Sequence, residues 1–311
     1  MPALWRVLFT APVILTLTSC IDFADMGPSD RYKEDFHYSY PLSTGGTVTL
    51  ENANGSVEIS GWEQDKVEIN GTKYASTKDL LDAVKIETSA SSGAVRIRTS
   101  RPLDWHGNGG ARYSIRVPRK ALLDSIVTTN GSIRVDDLDG NARLRSTNGT
   151  IRAGKIHGEL EAHTTNGNVE AMDVDGNSKL RTSNGNIKAD ASHGTLEAET
   201  TNGSIRVALA DPSAGWPVRL HSTNGSIEAR IRGGKLPDVR AETTNSSLTL
   251  YIPRDASARV RAHTSHSSIS SDFDLSGGSE RSKTSLEGSI GSGGPILDLS
   301  STNGSIKILK M

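Results

Sequence analysis

Asp136, Asp137 and Asp139 crowd into one short stretch, and Asp173 and Asp175 repeat the pattern further along. Grouped carboxylates are what a polysaccharide-cleaving enzyme uses, one acid protonating the leaving oxygen while the other attacks or activates water. That chemistry needs a groove and a defined separation, and nothing in the sequence supplies either. All five acids also fall at or beside a recurring Asp-Gly or His-Gly turn, where Asp is expected for backbone reasons. Asp173-Val174-Asp175-Gly176 lacks the remainder of an EF-hand loop. The eight histidines invite a metal reading. His163, His221 and His263 share one repeat position but are separated by other repeats. His157 and His193 fall two repeats apart, ~9–10 Å by strand spacing and too far for one ion to bridge. No Ser-His-Asp order, phosphate-cradling glycine motif or Cys-His pair is present. The sequence therefore predicts no catalytic residue, no metal site and no cofactor.

The elements that would position these side chains follow a beat. Asn-Gly pairs stand at Asn130-Gly131, Asn148-Gly149, Asn166-Gly167, Asn184-Gly185 and Asn202-Gly203, a constant 18 residues apart. Asn224-Gly225, Asn245-Ser246 and His266-Ser267 follow at 21 to 22, with Asn303-Gly304 last and Asn54-Gly55 early. A period of this size marks a stacked repeat, because one unit cannot bury its own apolar face. With the Asn numbered zero, positions −6 and −4 are apolar or small (Ala142 and Leu144, Leu160 and Ala162, Leu196 and Ala198). Position −2 is Ser or Thr; position +3 is Ile133, Ile151, Val169, Ile187, Ile205, Ile227 or Leu248. The residues between are polar, which is the period of half-buried strands.

An antiparallel meander would show the same alternation, since Asn-Gly also favours hairpins. It would place Arg145 opposite Arg152 and Arg181 opposite Lys188, and facing like charges are unfavourable. Parallel stacking makes position −5 the column Arg143, Glu161, Lys179, Glu197, Arg219, which alternates in sign. The fold expected is all-β: a single-stranded parallel β-helix (β-solenoid), right-handed, with ~18–22 residues per coil. In this fold each Asn takes a left-handed corner, each Gly takes the next positive φ, and the Asn side chains stack as a hydrogen-bonded ladder. The inward Ser/Thr column needs hydroxyl partners, expected from backbone at the corner. A second Thr column at −1 points outward. Flat Thr arrays can bind ice, but the bulky column Arg145, His163, Arg181, Glu199, His221 lies beside it.

Composition narrows the function. Aromatics make up 5% of the 311 residues and net charge is −1 with both signs interleaved, so no basic stripe marks a nucleic-acid partner. The one cysteine, Cys20, excludes a disulfide framework. It closes a short positive start, an apolar run from Val7 to Leu17 and small residues, the form of a cleaved signal peptide. Leu17-Thr18-Ser19-Cys20 resembles the bacterial lipobox, which implies cleavage before Cys20 and lipid on it; an ordinary signal peptide is the alternative. Ile21, not Asp, follows, which in a Gram-negative cell permits sorting to the outer membrane. The domains expected are 1–19 signal peptide, 20–45 lipidated tether, 46–122 irregular β-rich first coils or cap, and 123–311 solenoid repeats. Lys78–Val84 is the only plausible helix, and 101–112, around Trp105, reads as a loop.

A family resemblance follows from the motifs in order: Asn54-Gly55-Ser56-Val57-Glu58-Ile59-Ser60-Gly61-Trp62, Ile115-Arg116-Val117-Pro118, the Asn-Gly-Ser-Ile units, Tyr251-Ile252-Pro253-Arg254-Asp255-Ala256, and Gly293-Gly294-Pro295-Ile296-Leu297 through Asn303-Gly304-Ser305-Ile306-Lys307-Ile308. Over roughly 46–311 the chain resembles the bacterial β-strand-repeat proteins of unknown function called putative adhesins, akin to the head domains of putative auto-transporter adhesins. It departs at 266 and 286–288. The resemblance implies a β-helix at the cell envelope and carries over no catalytic residue. The expected protein is a non-enzymatic envelope lipoprotein, an adhesin-like or scaffold module. Its partners would be the membrane, through its lipid, and an envelope protein or polysaccharide. The alternatives are a polysaccharide-acting β-helix enzyme and an accessory of an envelope-stress or signalling system.

Overall fold

Each repeat contributes one strand to each of two sheets, and the sheets face one another across a narrow interior. A computed structural model describes residues 30–101, 108–190, 193–210, 212, 215–233, 235–277 and 282–311. Cys20, the signal peptide and Trp105 lie outside the described residues. Both sheets are thirteen-stranded. Through the middle of the molecule every pairing is parallel and in register. Ile151 sits on Ile133 and under Val169 in the first sheet. In the second, Arg143, Glu161, Lys179, Glu197 and Arg219 pair in succession. The chain is a β-solenoid.

Alternation explains the core. In strand Ala142–Ser146 the pattern is buried, exposed, buried, exposed, buried, and the same inward positions are buried coil after coil, with partly or fully exposed residues between them. Ile133, Ile151, Val169, Ile187 and Ile205 stack within 0–1% exposure. Each such side chain contributes ~1.5–3 kcal/mol of burial. Small and large residues alternate across the second sheet, Ala142/Leu144 against Leu160/Ala162, so neighbouring coils interlock.

Three expectations need correction. The first concerns the corners. None of the repeating Asn residues has a positive φ, and of the beat glycines only Gly55 does (φ 120). The left-handed non-glycine residues are Asp137, Lys155 and Asp173, one coil apart, where the first-sheet strand kinks. Glycine is required on the beat for room. A Cβ on Gly149, Gly167, Gly185 or Gly203 would collide with the carbonyl oxygen of the preceding coil's glycine. Through the middle of the stack the coils pass too closely there for a side chain unless they part, whereas near the far end Ser246 and Ser267 occupy the equivalent places.

The second concerns residues 20–45. Within them Tyr32–Pro41 forms a strand antiparallel to Lys66–Ala75, at the edge of the first sheet. Phe36, Tyr38 and Tyr40 alternate toward the core and pack against it, an apolar period hidden among charges. The third is the loop 101–112. Strand begins at Gly109, because Gly109 and Gly110 pair with Ala75 and Tyr74. The helix is Lys78–Ala83, capped by the Thr77 hydroxyl accepting from the Leu80 amide.

Stack order departs from chain order at both ends. The early coil 47–62 lies between coil 94–118 and coil 122–138. Symmetrically, the last coil, 296–310, lies between coil 239–252 and coil 258–271. Antiparallel strands then close the stack. At the near end these are Tyr32–Pro41 and Lys85–Ala90; at the far end Ser285–Ile290 covers the second sheet. Charged edge strands of this kind blunt pairing with other chains. The near cap is aromatic: Phe36 meets Tyr113 edge-on at 5.4 Å, and Tyr38 stacks on Tyr40 at 6.4 Å.

Candidate interaction surface

The Asn column forms a continuous ladder. Nδ2 of each Asn donates to Oδ1 of the coil before it: Asn130 to Asn54, then Asn148, Asn166, Asn184, Asn202, Asn224, Asn245 and Asn303 in turn, at 2.7–2.8 Å. Beneath it the inward hydroxyls of Ser146, Thr164, Thr182, Thr200, Ser222 and Thr243 each donate to a glycine carbonyl one coil back, at 2.8–3.0 Å. The same carbonyls that forbid a Cβ are thus satisfied by hydroxyls, and Asn130 through Asn303 have their amides spoken for within the ladder. These columns hold the corner together and leave little hydrogen-bonding capacity for a ligand.

The outer face of the second sheet has more to offer. There Asn141, Glu159, Asn177 and Thr195 run beside the column Arg143, Glu161, Lys179, Glu197, Arg219, and a shallow groove follows the two along the stack. Ion pairs hold part of the face. Arg143 binds Asp124 at 2.7 Å and Glu161 at 3.7 Å. Arg145 reaches Glu161 at 3.3 Å, and Arg181 spans Glu197 at 2.7 Å and Glu199 at 3.2 Å. Exposed pairs like these contribute little to stability, ~0–1 kcal/mol each. They do fix side-chain positions. Lys179 and Arg219, two coils apart on the groove, make no ion pair among the described residues. They are the groove's available cations.

The acids read as candidate enzyme groups sit elsewhere. Asp136 is held by Arg134, and Asp137 lies near Lys155 at 3.7 Å and Arg119 at 4.0 Å. None of Asp136, Asp137, Asp139, Asp173 and Asp175 lines the groove. The second turn holds an arrangement that reading histidines alone missed. Asp139, His157, Asp175 and His193 form one column, acid and imidazole alternating. Asp139 Oδ1 lies 3.1 Å from His157 Nδ1, and the backbone pairs His157 with Asp175 and Asp175 with His193. The 18-residue step carries this signal once acids and histidines are laid in the same column. Among the described residues no three His, Cys, Asp or Glu side chains gather as a metal ion would need.

Two buried groups were invisible to pattern reading. Ser178 replaces an apolar residue in an inward column, and its Oγ finds no partner. Tyr113, in the aromatic cap, has its hydroxyl 2.6 Å from Thr99 Oγ1. Burial pushes its pKa up to about 12, against the opposing Thr99 hydrogen bond and with a smaller push from Tyr38.

The model of the Toastrack family, DUF4097, matches residues 41–236, more than half of the chain. The chain belongs to the Toastrack family. The match agrees with the resemblance carried by the Asn-Gly-Ser units, and the Toastrack span takes in the inserted early coil, the strict repeats and the groove. The solenoid itself runs on through Lys310. No curated protein matches the sequence. Among solved structures, a putative cell adhesion protein from Clostridium sporogenes ATCC 15579 is 12% identical, covering 89% of this chain and 100% of its own, with a TM-score of 0.21. A putative adhesin from Bacteroides fragilis NCTC 9343 is also 12% identical, covering 89% and 97%, with a TM-score of 0.38.

Proposed function

We propose that this Toastrack protein is a non-enzymatic, lipid-anchored module of the cell envelope that binds a linear polysaccharide along the groove of its second sheet. The groove carries the reading. It is open and follows the stack axis, and each of its five coils presents a charged side chain, with Asn141, Glu159, Asn177 or Thr195 beside it in the first four. A ligand that repeats along its length can meet such a surface repeatedly, which is how solenoids use their extended faces. Lys179 and Arg219 supply cations for acidic or hydroxyl-rich sugars. The Cys20 motif supports the anchor, and the placement of the groove away from the acids of the second turn supports a binding role over a hydrolytic one.

Purified envelope glycans, tested by sedimentation with the Cys20→Ser protein, check the binding. Lys179→Glu with Arg219→Glu should weaken binding at least tenfold, whereas Arg206→Glu, on the other sheet, should leave it unchanged. Equal binding by both variants, or product release from any glycan, refutes the proposal. The anchor is checked separately: Cys20→Ala should move the protein from the membrane to the soluble fraction.

A further inference from the structure

The last coil occupies a slot that forms without it in sequence order. Coil 258–271 and its covering strand Ser285–Ile290 precede it in the chain, yet residues 296–310 lie inside them, against coil 239–252. The slot is specific. Leu297, Leu299, Ile306 and Ile308 are fully buried in it. Asn303 Nδ2 donates to Asn245 Oδ1 at 2.7 Å, the Ser301 hydroxyl to the Ser246 carbonyl at 3.1 Å, and the Ile296 amide to Asp238 Oδ1 at 2.7 Å. From the other side Thr264 donates to the Gly304 carbonyl at 2.9 Å. Charge agrees: Asp298 stands between Arg240 and Arg261. With the slot empty and the coils closed up, those two arginines would face each other, which is unfavourable.

The coil reaches this slot through Gly291-Ser292-Gly293-Gly294-Pro295, whose glycines sit at φ 58, 77 and 138. Ile290 and Ile296 flank the strand Ala258–Thr264 on opposite sides, paired with Ala258 and Arg259. They are two strand spacings apart, ~10 Å. The linker must arch over that strand, and its glycines can also adopt extended conformations at no steric penalty. We propose that the slot is a coupling site between copies of this chain, filled in an exchanged dimer by the C-terminal coil of a second copy. An identical segment meets identical contacts, so exchange costs little beyond association. Crowding of anchored copies on one surface would favour it.

The test uses full-length chains with Cys20→Ser. Glu242 and Ser300 are partners across the slot. Parallel neighbours at strand spacing, ~4.8 Å, lie within the range a disulfide bridges. One copy carries Glu242→Cys and the other Ser300→Cys, and the two are unfolded, mixed and refolded together. An interchain disulfide should form, rising with concentration, at least fivefold above a control pair of Glu161→Cys with Ser300→Cys. A second variant removes residues 292–295. Two Cα steps then reach at most ~7 Å, too short for a coil to enter its own slot. This variant should be a dimer or larger and should keep its β content. Absence of the interchain disulfide in the refolded mixture, or a shortened chain that stays monomeric, overturns the proposal.

Discussion

Replacing Gly185 by Ala tests why the beat needs glycine. The alanine Cβ would drive into the Gly167 carbonyl and stand 3.1 Å from the Asn168 amide nitrogen. The backbone is not left-handed there, so conformation alone would tolerate alanine. Relief requires the two coils to part. Three hydrogen bonds cross that spot: Thr182 Oγ1 to the Gly167 carbonyl, Asn184 Nδ2 to Asn166 Oδ1, and the Asn184 amide to the Thr165 carbonyl, each 2.8 Å. Each contributes ~0.5–1.5 kcal/mol net. Overpacking of a tight interior adds ~1–3 kcal/mol. Allowing for partial relaxation, the expected loss is ~3–5 kcal/mol. Gly45→Ala is the counterpart, since Gly45 has φ 76 and nothing within 4 Å of a built Cβ. Its cost is conformational alone, ~1–2 kcal/mol. Urea unfolding followed by circular dichroism would compare the two. If Gly185→Ala proves as mild as Gly45→Ala or milder, close approach is not what the beat encodes.

Ser178→Ala removes a buried hydroxyl that has no partner, and should stabilise the protein by ~1 kcal/mol, read as a higher urea midpoint; a lower midpoint would show that the hydroxyl is bonded after all. Thr182→Val strips the donor from the Gly167 carbonyl at nearly constant shape and should cost ~1–2 kcal/mol, whereas the outward Ser183→Val should change stability by less than ~0.5 kcal/mol. Tyr113 gives a pH dependence. Its folded pKa, about 12, exceeds the unfolded value of 10.0, so the native state holds the proton more tightly. That contribution is complete below about pH 10 and is lost as pH rises through about 12. Tyr113→Phe should flatten this alkaline decline, and an unchanged slope would place the titration elsewhere.

Much of the fold was legible because the solenoid repeats in sequence what it repeats in space. One 18-residue step gave the strands, the inward Ile column and the alternating charges of Arg143 through Arg219, and the groove lies along that charged column. Three things escaped. Glycine's role was misread because close approach and left-handed geometry leave the same residue in the same place. The strand Tyr32–Pro41 was missed because its aromatic alternation lies among Lys33, Glu34, Asp35 and His37. The unpartnered Ser178 hydroxyl depends on what surrounds it in three dimensions, which periodicity does not report.

The inserted last coil escaped for a deeper reason. A period relates each coil to its neighbours in the chain, so it assumes that stack order and chain order agree. The charge column makes no such assumption. Read in chain order, the second-sheet column runs Arg219, Arg240, Arg261, three like charges in a row, in a column that until then alternates. Placing Asp298 after Arg240 breaks that run, and the structure does this. The antiparallel partner then sets Glu287 against Arg261 and continues the alternation to the last strand. The hydrogen-bond ladder agrees, since Asn303 follows Asn245 and His266 stands outside it. Exposed charges add little stability individually, and the column still keeps one like pair, Arg219 beside Arg240, so charge favours this place for the last coil without dictating the whole order. Burial, which any coil of the repeat satisfies, leaves the place of the last coil open, and there the acid Asp298 fits between Arg240 and Arg261 where another basic coil would not.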